Sequence, residues 1–98
     1  EIEMPAYLFA EIDVTDPEGY ESYRAGARAA TEAYGGRVIA RSAQSTVVEG
    51  DGVGTHCVII QFEDMTALTA WYDSEEYAEP KAIRFRTAVS RFVAVEGV

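Results

Sequence analysis

The chain has 98 residues, 48% of them apolar, with 17 acidic against 8 basic side chains and a net charge of −9. One domain is expected at this length, and the acidic balance argues against nucleic acid and anionic membrane surfaces as partners, because both call for a basic patch. The single cysteine, Cys57, leaves no internal disulfide, no apolar stretch is long enough to span a bilayer, and the segment from Glu1 to Pro5 lacks the basic start and apolar run of a signal peptide, so the cytoplasm is the expected location.

Met4 to Val14 reads as a strand and runs into Thr15-Asp16-Pro17, where Asp16 suits an N-cap and Pro17 the first helical position. Tyr20, Tyr23, Ala27, Ala30 and Tyr34 follow at helical spacing, and Gly35-Gly36 closes the helix. Arg37 to Glu49 is rich in strand formers, with a bend expected near Ser42 to Ser45. The glycines from Gly50 to Gly54 mark a turn, and Thr55 to Phe62 reads as a third strand. Asp64 caps a second helix carrying Leu68, Trp71 and Tyr72. Ser74 starts a short helical turn, and Pro80 is expected to open a further helix running to about Val89, before a last strand from Arg91 to Glu96. The order is β-α-β-β-α-β, an α+β ferredoxin-like arrangement with a four-stranded antiparallel sheet. Aligning Asp16 with Asp64 also places Tyr20 on Leu68 and Tyr23 on Trp71, the mark of a repeated strand–helix unit.

Strand alternation separates two faces. Leu8, Ala10, Ile12 and Val14, with His56, Val58, Ile60 and Phe62, lead into the helices and should pack beneath them. Tyr7, Phe9, Glu11 and Asp13, with Cys57, Ile59 and Gln61, form the opposite face, which is apolar toward its centre. Two short helical regions cannot cover both sides of such a sheet, and an apolar patch of this kind usually marks an interface. A homodimer joined through this face is therefore expected.

Several segments together resemble the domain-of-unknown-function 1330 family: Pro5-Ala6-Tyr7-Leu8, Glu11 through Glu18, Tyr34-Gly35-Gly36-Arg37, Phe62, Ala70 through Tyr77, Lys81 with Arg84, and Val95 through Val98. The resemblance covers nearly the whole chain and implies a dimeric α+β barrel in which two ferredoxin-like sheets face each other. It implies no settled activity, and the wider barrel superfamily includes cofactor-free monooxygenases, haem-handling enzymes, isomerases and stress-response proteins. Gln61 stands where members of the family often carry Glu, which removes a carboxylate from that position.

Three groups of side chains have chemistry to offer. His56, the only histidine, suits a general base near neutral pH, although a partly exposed place at the strand's edge accounts for it better. Cys57 points to the opposite face, so the two do not share a metal, and neither a metal nor a cofactor is expected. Glu11 lies on the barrel face with Tyr7 and Gln61, and on the second strand either Arg37 and Arg41 or Val38 and Ala40 share that face, since period alone does not choose. A carboxylate–arginine pair there would fix dimer register or form a polar spot in a ligand cavity. Tyr72, Tyr77 and Arg84 make the third group. Tyr77 and Arg84 lie two helical turns apart, so they share a face if Pro80 permits, and such a pair would hold a carboxylate or polarise a carbonyl. Tyr7, Glu11, Arg41, Gln61, Tyr72, Tyr77 and Arg84 are thus the candidate ligand-binding residues, with Glu11, His56, Tyr72 and Arg84 the catalytic candidates. The expected function is binding of a small apolar or acidic organic molecule between sheet and helices. The alternatives are a cofactor-free monooxygenase- or isomerase-like enzyme, and a non-enzymatic protein whose aromatics and arginines only build the dimer.

Overall fold

The computed structural model describes residues 4–52 and 56–98. Thr55, expected to start the third strand, and the Val53-Gly54 part of the expected turn lie outside the described residues. The elements are β1 (Ala6–Val14), α1 (Pro17–Ala33), β2 (Arg37–Ser42), β3 (His56–Phe62), α2 (Met65–Tyr72), α3 (Glu75–Thr87) and β4 (Ala88–Glu96). The strands form one antiparallel sheet in the order β2-β3-β1-β4. This is the ferredoxin-like arrangement.

Local chemistry explains most boundaries. The Gly19 N–H donates to the Asp16 carboxylate at 3.2 Å and Pro17 occupies the first turn, so α1 begins where a cap and a preset φ coincide. Asp64 caps α2 in the same way, accepting from the Ala67 N–H at 2.8 Å, and Ser74 caps α3 by accepting from the Tyr77 N–H at 3.1 Å. Gly35 ends α1 at φ +75°, a left-handed conformation that favours glycine.

Two expectations are corrected. Pro80 does not open a helix: it sits inside a single helix that starts at Glu75 and ends at Thr87, so Val89 is already in β4. Proline has no N–H to offer the preceding turn and normally breaks a helix there. Here its buried ring lies against Gly26 of α1, where even a Cβ would approach Pro80 Cγ to 2.7 Å. The close α1–α3 approach that Gly26 permits turns Pro80 into a packing residue. The second correction concerns Arg37 to Glu49, where strand structure stops at Ser42. A bulge at Ile39 also shifts the register: Arg37 pairs with Gln61 and Val38 with Ile60, whereas Ala40 pairs with Ile59 and Arg41 with Val58. Neither expected alternative holds, because the extra residue flips the pattern part-way. Arg37 and Ala40 share the open face, and Val38 and Arg41 share the helix-covered face.

The core lies between the sheet and its three helices. Ala6, Leu8, Ala10 and Ile12 of β1 and Ile60 and Phe62 of β3 are buried under Tyr20, Tyr23 and Ala30 of α1, Leu68 and Trp71 of α2, and Tyr77 of α3. Its aromatic centre is continuous, with ring centroids 4.4 Å apart for Trp71–Tyr77, 5.3 Å for Phe62–Trp71 and 6.3 Å for Tyr23–Tyr77. The Thr87 carbonyl accepts N–H bonds from Thr15 (2.8 Å) and Asp16 (3.0 Å), tying the α3–β4 junction to the β1–α1 junction. At the other end of the β1–β4 pair, the Gly97 N–H donates to the Pro5 carbonyl at 3.0 Å. The opposite sheet face carries no helix. On it Phe9 is 42% exposed, with Val93 and Val95 beside it and Ile59 across from it. Among the described residues no helix is long and apolar enough to cross a membrane.

Candidate functional site

The helix-covered face of the sheet does not close completely against α1. Tyr20, Tyr23, Arg24, Ala27 and Arg28 of α1 recur at the three- and four-residue spacing that keeps one side of a helix turned the same way. Opposite them, β1 offers Leu8, Ala10 and Ile12, and β3 offers His56, Val58 and Ile60. The small side chains Ala10 and Ala27 leave space between the layers. The Ile39 bulge brings Val38 and Arg41 to the same side, and Trp71 and Phe92 complete the walls. Together these residues enclose a cavity of about 360 Å³, within the size range of small-molecule pockets, about 300–1,000 Å³.

The charge of this cavity runs against that of the chain. Arg24, Arg28, Arg41 and His56 line it, and no Asp or Glu does. Arg24 and Arg28 have helix partners, Glu21 at 3.3 Å and Glu32 at 3.6 Å, but all four side chains are exposed and such pairs are weakly held. Arg41 has no carboxylate partner among the described residues. Partial burial, followed by the fields of Arg24 and Arg41, lowers the His56 pKa below its ordinary value. His56 is therefore neutral at pH 7, with a ring nitrogen free to accept a proton.

The lowered His56 pKa has a consequence for stability. The unfolded chain takes up the His56 proton near pH 6.5, whereas the folded chain resists it until a lower pH. More protons are bound by the unfolded state in that window, so stability is complete above it and declines as pH falls from about 6.5 toward the native value. Urea midpoints followed across this range should show the decline, and a His56→Gln variant should lack that part of the slope.

Beside the cavity lies a buried polar chain. The Tyr23 and Tyr77 hydroxyls are 2.7 Å apart, and Arg84 Nε donates to the Tyr77 hydroxyl at 3.4 Å. Arg84 is 3% exposed and has no carboxylate partner among the described residues. Its Nη1 donates to Ser90 Oγ, its guanidinium lies 4.0 Å from the Phe92 ring centre, and its Nη2 is buried without a hydrogen-bond partner among the described residues. Burial acts to lower the Arg84 pKa, but the Tyr77 hydroxyl and Tyr23 outweigh it, and the net direction is up. Burial and the neighbouring Tyr77 push the Tyr23 pKa far above the usual phenol range. At physiological pH the group is thus a neutral Tyr–Tyr pair against a permanent cation.

The residues singled out in the sequence fall on two sides of the sheet. Tyr7, Glu11 and Gln61 are on the open face, where Glu11 meets Arg91 at 3.4 Å and Gln61 accepts from Arg37 at 3.0 Å. Arg41 and His56 line the cavity on the other side. Tyr77 and Arg84 do meet, but Tyr77 is wholly buried and stands at no cleft mouth. Tyr72 is half-buried, with Lys81 Nζ 4.1 Å from its ring centre and 2.9 Å from its carbonyl oxygen. Tyr20 and Tyr23 enter the sequence analysis only through their helical spacing and the strand–helix repeat, and Arg24, Arg28 and Phe92 do not enter it. The alternation of tyrosine and arginine with alanine along one side of α1 was the available signal. Among the described residues no three His, Cys, Asp or Glu side chains gather as a metal site.

The sequence profile of DUF1330, a domain of unknown function, matches residues 5–98. The chain belongs to the DUF1330 family. No curated protein matches it. Among solved structures, the DUF1330 chain is similar to RPA0582, a protein of unknown function from Rhodopseudomonas palustris. Identity is 18% and the TM-score 0.79, with 99% of this chain and 85% of that one covered. It is also similar to a putative antibiotic biosynthesis monooxygenase from Caulobacter crescentus CB15, at 14% identity and TM-score 0.66 over 98% and 92% of the two chains. A third similar structure is SnoaB, a cofactor-independent oxygenase from Streptomyces nogalater, at 14% identity and TM-score 0.62 over 96% and 92%. At these identities the likeness concerns the fold of the DUF1330 chain and not its chemistry.

Proposed function

We propose that the protein binds a small organic acid with an apolar body in the cavity between α1 and the sheet, and that it does so as a homodimer joined through the open sheet faces. The observation that carries the first part is a 360 Å³ apolar cavity lined by three arginines and a neutral histidine, with no carboxylate, in a chain of net charge −9. Leu8, Ala10, Ile12, Val58, Ile60 and Phe92 suit the body of such a ligand, and Arg41, which pairs with no carboxylate among the described residues, suits its carboxylate. The dimer is supported by Phe9, Ile59, Val93 and Val95, which put an apolar strip on a face that no helix of the same chain covers. A second reading, a cofactor-free reaction on the bound acid, is favoured by the buried Arg84 next to the cavity, because a cation held away from water stabilises developing negative charge strongly.

Trp71 is the only tryptophan and lines the cavity, so its fluorescence reports binding. Titration with 2-naphthoate should quench it, while the uncharged 2-naphthamide should bind about ten-fold more weakly, as expected for loss of a charge-assisted hydrogen bond. Arg41→Ala should bring the two affinities together. Equal affinity of the wild-type protein for acid and amide would defeat the organic-acid reading.

A further inference from the structure

The direction of the hydrogen bonds in the buried chain says more about the ligand. Arg84 Nε carries only a proton, so the Tyr77 oxygen accepts from it. The Tyr23–Tyr77 contact at 2.7 Å then has two possible polarities. If Tyr23 donated to Tyr77, the Tyr77 proton would be left without an acceptor at a residue that is 0% exposed, and an orphaned buried donor is costly. If Tyr77 donates to Tyr23, every polar group of Tyr77 is satisfied. The Arg84 charge favours the same polarity, because it draws the Tyr77 oxygen toward itself and turns the proton away, toward Tyr23. In that arrangement the proton of Tyr23 has no acceptor among the described residues, and Tyr23 is the member of the chain that lines the cavity.

We infer that Tyr23 presents its hydroxyl proton to the cavity, and that the site selects organic acids carrying a second acceptor oxygen, a ketone or ester carbonyl, remote from the carboxylate. Arg84 and Tyr77 act through Tyr23 as positioning residues: they fix which way its proton points and need not touch the ligand. The Tyr23 phenol stays protonated because burial disfavours its anion, so it serves as a donor and not as a base. This inference rests on the cavity reading proposed above and adds the ligand's second polar group to it.

The test uses two aromatic acids of matched shape, 6-acetyl-2-naphthoate and 6-isopropenyl-2-naphthoate, which differ in having C=O or C=CH₂ at the far end. In calorimetry the acetyl compound should bind the wild-type protein about 3- to 10-fold more tightly, the worth of one neutral hydrogen bond. Tyr23→Phe should abolish that preference without weakening the isopropenyl compound. Infrared spectroscopy supplies a readout that needs no variant: the bound acetyl carbonyl should absorb at lower wavenumber than the same carbonyl in an apolar solvent. In Tyr77→Phe that shift should shrink while the isopropenyl compound binds as before, and an undiminished shift there would remove Tyr77 and Arg84 from the account. Equal affinities with an unshifted carbonyl in the wild-type protein would overturn the inference and leave the cavity reading standing. Failure of both compounds to bind would overturn the two together.

Discussion

Trp71→Ala should lower the unfolding free energy by about 3–5 kcal/mol, the range for removing a large aromatic from a core. That is a large share of the roughly 5–15 kcal/mol that holds small domains folded. Trp71 is buried and is the hub of the aromatic centre, with the rings of Tyr77 and Phe62 against it at 4.4 and 5.3 Å and that of Tyr72 at 6.0 Å. These neighbours come from α3, β3 and α2, so no single element can move in to fill the gap. Urea unfolding checks the prediction through a lower midpoint at unchanged slope. Trp71→Phe should cost much less. It keeps most of the ring contact and removes an indole Nε1 that is buried with no hydrogen-bond partner among the described residues. A Phe variant as unstable as the Ala variant would show that this account of the site is wrong.

The second large effect concerns assembly. Ile59→Glu should convert the proposed homodimer to a monomer, read by light scattering as a fall from about twice the 10.7 kDa chain mass to that mass. Ile59 pairs directly with Phe9, which pairs in turn with Val93, so the new carboxylate would stand at the middle of the apolar strip. Burying an unpaired charge costs several kcal/mol. Two-fold symmetry would place two such charges together, adding repulsion and weakening dimerisation by at least about a hundred-fold, at 1.4 kcal/mol per factor of ten. In the separate chain Ile59 is only partly covered, so the variant monomer should remain folded. A wild-type protein that runs as a monomer, or an Ile59→Glu protein that stays dimeric, would exclude this face as the contact.

The features legible in the sequence are those decided within a few residues of chain. Asp16 and Asp64 cap their helices because a carboxylate three positions before a free N–H needs no other part of the protein. The same holds for the alternation that buries Leu8, Ala10 and Ile12 while leaving Tyr7 and Phe9 outside. Both halves of the suspected repeat place their bulky residues as expected, since Tyr20, Tyr23, Leu68 and Trp71 are all buried. What went unread depends on distant partners. Pro80 looked like a helix start because the feature that accommodates it, the bare Cα of Gly26, is on another helix. Arg37 and Arg41 could not be assigned a face because a single bulged residue, Ile39, reverses the strand's alternation and carries no mark of its own. A ligand site between sheet and helices was expected, but its place against α1 was missed for a related reason. It is a gap where small side chains meet across layers, and a pattern of apolar positions predicts filled space and empty space alike. Helical spacing pairs Tyr77 with Arg84, but no local pattern ties Tyr23, on another helix, to them.

The place of β4 has a consequence for how the molecule comes to be folded. Its residues pair along the whole of β1, from Ala6 opposite Glu96 to Val14 opposite Ala88. Within this sheet, the first strand in chain order is thus completed only by the fourth. As the chain leaves the ribosome, β2, β3 and β1 can assemble, but one edge of β1 then stays bare until β4 has been made. Pairings this far apart in sequence are slow to form, and an open strand edge invites the wrong partner. The vulnerable period for aggregation is therefore the interval before β4 docks. A chain truncated within β4 should misassemble during synthesis rather than fold and then loosen.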